Sequence, residues 1–256
     1  MDNTAKSGNV QSVERALFLL KIIARKEKPV SVAVLSELSG LNRTTVWRLL
    51  NTLEDSGFVE RDDVSKSYAL GYNATSLCLN LMQQYAPLMR ISRPYLKNLS
   101  REINEDILLA VPRFSGTLTI DQIYSENGIH VKSYVNEVSH IHSSSTGKML
   151  LSYLDRQELD LLLNQPLQKV TQRTIVDPGV IRGQLAQIRA DGYSYILGEN
   201  NDGENGICTP ILKNNFPAAF INVCGPESRL TLDRMLSLVP VIKECSRQIG
   251  RQLAQY

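Results

Sequence analysis

The sequence holds only four cysteines, at 78, 208, 224 and 245, too scattered for the paired spacing of a zinc site or a redox dithiol. They read as free buried thiols, which fits a reducing, cytoplasmic setting. No stretch reaches the roughly 18 apolar residues of a membrane span. Met1 to Val10 is polar and lacks the apolar centre of a signal peptide. An excess of either charge is also missing: 28 Lys+Arg stand against 26 Asp+Glu, a formal net charge of +2, so a nucleic-acid surface must be a local patch. Nucleophile elbows, zinc motifs, phosphate-binding glycine loops, internal repeats and low-complexity tracts are all absent, which removes the common signatures of catalysis and leaves no cofactor to expect. What remains is an ordinary globular composition, 43% hydrophobic and 21% charged, over 256 residues, a length that suggests two folded units.

Apolar residues recur at helical spacing around Leu17, Leu20 and Ile23, which predicts a helix over 13–24. Ser31 then caps a short helix through about Ser39, Gly40 supplies a turn, and Asn42 caps a third helix with Val46, Leu49, Leu50 and Leu53 on one face until Gly57. Phe58 to Arg61 and Tyr68 to Gly71 flank the polar turn 62–66 as a two-stranded hairpin. Helix follows from about Asn73 to Tyr85, Pro87 interrupts it, and a further helix covers Ile91 to Asn104. Beyond 105 short apolar segments predict strands at 107–111, 117–124, 130–135, 193–197, 206–212 and 218–224, with helices at 147–153, 155–163, 178–191 and 232–255. The class is therefore α+β: a winged helix-turn-helix over 1–72, a linker helix over 73–90 and a mixed α/β domain over 91–256.

In a helix-turn-helix the second helix of the motif enters the major groove, so its early exposed positions are polar and its far face apolar. Asn42, Arg43, Thr44, Thr45, Trp47 and Arg48 meet that requirement, with Arg43 and Arg48 as the principal base or phosphate contacts. Trp47 fits either a DNA contact or the helix core. On the hairpin, Arg61 and Lys66 are in reach of phosphates, although Asp62 and Asp63 oppose close approach. A solvated face of a protein-interaction module is the bland alternative for the arginines. The order of helix, short helix, Gly turn, Arg/Thr-rich helix and hairpin outweighs it and points to double-stranded operator DNA as partner.

The stretch LSGLNRTTVWRLLNTLEDSGFVERD with SYALG resembles the IclR family of transcriptional regulators, as do HIHSSSTGKMLLSYL at 140–154 and GYSYILGENNDGENGICTPILKNNFPAAFINVCGP at 192–226. The resemblance implies a GAF-like effector-binding domain, effectors that are small organic acids, aromatic ones among them, and a homo-dimer or tetramer on the operator. It departs from the family pattern in the run of hydroxyls at 143–146 and in a slightly long loop at 198–206.

Ser143, Ser144, Ser145 and Thr146 precede an apparent helix near Gly147, where hydroxyls and amides can converge on a carboxylate; a plain N-cap is the alternative. The resemblance places Glu199 or Asp202 in the acidic loop and Cys208, Asn222 and Cys224 on strands facing the effector. Asn222 and Cys224, two apart, share a sheet face. For either thiol alone, buried filler is the simpler reading. Two competing functions remain: an enzyme assembled from His140, His142, Ser143 and Cys208, and a regulator that senses oxidation through Cys208 and Cys224.

Overall fold

The computed structural model describes residues 9–255, side chains 78 and 80–82 excepted, so the N-terminal stretch through residue 8 and the Cys78 thiol lie outside the described residues. The chain divides into two compact units, the first ending at Gln84 and the second beginning at Tyr85.

In the first unit the elements are α1 (Gln11–Ala24), β1 (Val30–Ser31), α2 (Val32–Ser39), α3 (Arg43–Asp55), β2 (Val59–Asp62) and β3 (Ser67–Leu70). Ser31 caps α2 by accepting the amide of Val34, and Gly40, at φ 69°, turns the chain where a side chain would be strained. Leu19 and Ile23 of α1, Leu35 of α2, Val46 and Leu50 of α3 and Tyr68 of β3 meet in one buried core. Each such side chain contributes about 1.5–3 kcal/mol on burial. The hairpin expected at 58–71 is the larger part of a three-stranded sheet in the order β1-β3-β2, because Val30 and Ser31 pair with Tyr68 and Ser67. Two residues are too short a run to announce a strand in the sequence.

The helix expected to break at Pro87 does not: α4 runs unbroken from Tyr72 to Ile103 with Pro87 and Pro94 inside it. Pro87 leaves the carbonyl of Gln83 without its helical donor, but both residues are exposed to water. Leu88, Met89 and Ile91 meanwhile hold that part of the helix against the core of the second unit.

The remaining elements are β4 (Asp106–Arg113), β5 (Gly116–Ile123), β6 (Val138–His140), α5 (Ser145–Leu151), α6 (Arg156–Leu163), α7 (Pro178–Asp191), β7 (Ser194–Leu197), β8 (Glu204–Lys213), β9 (Phe216–Pro226) and α8 (Leu232–Leu253). The strands form one antiparallel sheet in the order β6-β5-β4-β9-β8-β7, helices lie on both faces, and the α+β class stands as read from the sequence. Alternation sorts the side chains. Ile107, Leu109, Ile207, Ile221 and Val223 face Leu96, Leu99 and Ile103 of α4 and Met235, Leu238 and Ile242 of α8. Ala110, Cys208 and Phe220 face Met149 and Leu151 of α5, Leu159 of α6 and Ile181 of α7.

Residues 130–135, expected as a strand, have no ladder; the strand beside β5 is β6, pairing Gly116 with His140. Side chains take the backbone groups that a ladder would have used. The Asp106 carboxylate accepts from the amides of Ser125 (2.8 Å) and Val131 (3.1 Å), and Gln122 accepts from the amide of Tyr134 (2.9 Å) and donates to the carbonyl of Lys132 (3.2 Å). The segment is thereby laid as a strap across the sheet, with Val131 and Tyr134 buried against Leu108 and Cys224.

Candidate functional site

Two surfaces carry the residues singled out from the sequence. On α3, the Asn42 side chain accepts the amide of Thr45 at 2.8 Å and fixes where the helix begins. Val46 and Leu50 turn inward, which leaves Arg43, Thr44, Trp47 and Arg48 on the outside, Thr45 half-buried beside them. Trp47 is 49% exposed, so of its two readings the core one falls away. Neither arginine forms an ion pair among the described residues. The face offers two unneutralised guanidiniums, a hydroxyl and an indole within two turns of a helix start, a set able to bond phosphates and the acceptors of guanine.

The wing is more restrained. Asp62 accepts from the amides of Val64 (3.3 Å) and Ser65 (2.9 Å), bonds that with the Ser65 hydroxyl hold its carboxyl below the usual carboxylate range. Lys66 pairs with Asp63 at 3.8 Å, and the Arg61 guanidinium lies 5.9 Å from the centre of the Tyr68 ring. Both basic residues are exposed, each already in contact with a partner from its own hairpin.

The second surface is internal. A small cavity of about 20 Å³ lies between the sheet and α5, walled by Leu108, Ala110 and Thr119 on β4 and β5 and by Gly206, Asn222 and Cys224 on β8 and β9. Ser144, Ser145 and Thr146 close one side, and Tyr134 of the strap with Asn200 and Glu204 closes the other. That volume admits about one water, so a larger guest requires the walls to part.

The hydroxyl run is buried and its members bond other protein groups. Ser144 caps α5, accepting the amide of Gly147 at 3.0 Å and donating to the carbonyl of His140 at 2.7 Å, which is the plain capping role. Ser145 donates to Asn222 Oδ1 at 2.7 Å, Thr146 shares a 2.6 Å bond with Thr117, and Ser143 donates to Asn200 at 3.3 Å. Gly147 has a packing reason. A Cβ there would stand 2.4 Å from the carbonyl oxygen of Ile141, so α5 has no room for a side chain where it packs against the turn that precedes it.

The acidic loop divides its carboxylates among three tasks. Glu199 receives both its bonds from Lys148 Nζ, 2.6 Å to each oxygen, in a pair that is almost wholly buried. Burial pulls the Lys148 pKa down and pushes that of Glu199 up, while their attraction opposes both shifts. Thr171 and Thr174 bond the carbonyls of Gly198 and Glu199 at 2.8 Å and complete the anchor. Asp202 is exposed and Cys208 packs with Met149 and Phe220; neither lines the cavity. Glu204, Tyr134, Asn200 and Thr119 do line it and escaped the sequence reading. Glu204 Oε2 accepts the Tyr134 hydroxyl at 2.6 Å, and Asn201 donates to that hydroxyl.

The four residues that an enzyme reading of the sequence assembles, His140, His142, Ser143 and Cys208, are not linked by hydrogen bonds among the described residues. His142 shares a 2.9 Å bond with the carbonyl of Gln168, and Ser143 bonds Asn200; no hydrogen bond links either histidine to Ser143 or Cys208 among the described residues. Burial holds the thiols of Cys208 and Cys224 well above their usual range, which suppresses the thiolate an oxidant attacks. No cluster of metal-ligating side chains occurs among the described residues, and no helix there is long and apolar enough to cross a membrane.

Comparison with known proteins agrees with this arrangement over nearly the whole chain. Residues 12–63 match the model of the IclR helix-turn-helix domain, and residues 82–251 that of the bacterial transcriptional regulator IclR C-terminal domain. The chain is 30% identical over 247 residues to the transcriptional repressor IclR of Escherichia coli, covering 95% of this chain and 90% of that one. Among solved structures, IclR of Thermotoga maritima is 24% identical with a TM-score of 0.74, covering 95% of this chain and 98% of its own. An IclR homolog of Microbacterium hydrocarbonoxydans, crystallised with 4-hydroxybenzoate, is 20% identical with a TM-score of 0.75, covering 96% and 100%; at those identities both structures speak for the fold.

Proposed function

Because the chain belongs to the IclR family of bacterial transcriptional regulators, whose helix-turn-helix domain binds DNA, we propose that it recognises an operator through α3 and that a small organic acid in the cavity beneath α5 alters that recognition. The observation that carries the first half is the outward face of α3, where Arg43, Thr44, Trp47 and Arg48 stand exposed at the start of a capped helix. Arg61 and Lys66 of the wing add contacts to neighbouring phosphates, with little sequence preference.

For the second half, the support is a polar cavity inside the second unit, in a fold that a homolog uses while holding 4-hydroxybenzoate. Asn222 and Cys224 line it together with Ser144, Ser145 and Thr146. Glu199 is paired with Lys148 outside the lining, and Glu204 takes the place at the wall that the sequence offered to Glu199 or Asp202. The working division is a DNA reader over 1–72, a linker over 73–90 and an effector domain over 91–256. The active form is a homo-dimer or tetramer, so that paired recognition helices meet two half-sites about one helical turn or a multiple of it apart. An effector alters operator affinity to the extent that it binds one arrangement of the assembly more tightly than another.

The test is binding of the purified protein to DNA from upstream of its own gene, at two salt concentrations, with and without a panel of small organic acids. Specific binding that Arg43→Ala/Arg48→Ala removes, and that one acid shifts, is the expected result. Failure to select any site over random DNA would reject the reader; an operator complex indifferent to every acid would reject the effector.

A further inference from the structure

The described residues lining the cavity include one carboxylate, Glu204, and no Lys, Arg or His. Lys148, the cation that α5 brings to this side of the sheet, is held by both oxygens of Glu199 at 2.6 Å. Among the described residues, the titratable groups that act on Glu204 are Tyr134, Lys132, Asp106 and Cys224. The strap brings Tyr134, whose hydroxyl donates to it, and Lys132, which is paired with Glu137 at 2.8 Å. From β4 comes Asp106, committed to the strap amides and to His130, and from β9 the neutral thiol of Cys224. Asn201 reaches Glu204 only through the Tyr134 hydroxyl. An acid entering this cavity therefore brings its carboxylate to a wall that already carries one and has no free cation to offset the pair. Two carboxylates in one enclosed site do not both stay ionised; one of them takes a proton.

Resting on the effector reading above, we propose that Glu204 sets the charge rule of the cavity: an acid is admitted together with one proton from solvent, which sits on Glu204 and bonds the incoming carboxylate. The reaction balances as effector carboxylate plus Glu204 carboxylate plus one proton giving one hydrogen-bonded acid–carboxylate pair. A neutral guest of the same shape enters without the proton. Burial already pushes the Glu204 carboxyl up, against the Tyr134 bond and the charge of Lys132, which pull it down. Part of the cost of protonating it is thus met before the guest arrives.

The experiment is titration calorimetry of the full chain with acetate, pyruvate and benzoate, each beside its primary amide, from about pH 6 to about pH 9 in two buffers of different ionisation enthalpy. An acid that binds is expected to take up close to one proton per site at the alkaline end and to lose affinity about tenfold per pH unit there, while its amide shows neither effect. Glu204→Gln keeps an acceptor for Tyr134 and removes the charge; it should bind the same acid with a flat profile and no uptake. Tyr134→Phe removes a bond that favours the ionised carboxyl, so the fall in affinity should begin at higher pH. Acid binding by the wild type without proton uptake overturns the charge rule and leaves the effector reading standing. Absence of binding by any acid at any pH rejects the effector reading for these acids and the rule with it. Should Glu204→Gln not fold, the proton count on the wild type decides alone.

Discussion

The face of α3 and the cavity beneath α5 treat polar groups in opposite ways. On α3 the arginines stand exposed, without an ion-pair partner among the described residues, their positions set by one cap and one apolar stripe. At and around the cavity, Ser143, Ser145 and Thr146 bond groups from distant parts of the chain and Ser144 caps its own helix, while Glu204 is bonded by a buried tyrosine 70 residues away and nearby Glu199 by a buried lysine 51 residues away. A surface left unsatisfied can bind a partner without first breaking anything. The cavity would have to exchange internal bonds for those of any guest, so its groups hold the fold first, and substitutions there should register first as stability.

That contrast breaks if the cavity residues prove neutral to folding, and the largest expected effect is at Lys148. Lys148→Met leaves Glu199 buried and unpaired, and urea unfolding should show a loss of about 3–5 kcal/mol; Lys148→Met/Glu199→Leu should recover most of it. On α3 the order reverses. Arg43→Ala or Arg48→Ala should lower operator affinity by about 1–3 kcal/mol each, while unfolding stays within about 0.5 kcal/mol of wild type. A smaller effect is expected from pH. Burial lowers the pKa of His142, so its neutral form is the one that folds. Above the unfolded value near pH 6.5 it makes no difference, and below that value stability falls by at most about 1.4 kcal/mol per pH unit until the folded group also protonates. His142→Gln should flatten that part of the stability profile. The smallest effect belongs to the wing: Lys66→Asn, which keeps the left-handed turn comfortable, should weaken binding to all sequences alike and reduce the salt slope by at most about one, because Asp63 already offsets the charge.

The same contrast explains what was legible in the sequence. Helices α1 to α3, their caps at Ser31 and Asn42 and the hairpin follow from neighbours in the chain, and all appear near their expected bounds. Two-residue β1 was invisible because it exists only through its pairing with β3. Pro87 was read as a break because its effect on a helix is local, whereas the packing that carries α4 past it is not. The strap at 130–135 has the composition of a strand, and only Asp106 and Gln122, far upstream, make it something else. In the cavity, Asn222 and Cys224 could be placed together from their spacing, but Glu204 and Tyr134 meet across 70 residues, and nothing in a linear pattern distinguishes Glu204 from Glu199 or Asp202.

The alternation of β9 has an evolutionary corollary. Ile221 and Val223 seat the helices on one side of the sheet while Asn222 and Cys224 look into the cavity on the other, so one strand carries two interleaved messages that can be edited separately. The lining of the cavity can drift by changing every second residue, with the intervening ones held constant by packing, and a designer seeking to reshape the cavity has the same set of positions to randomise.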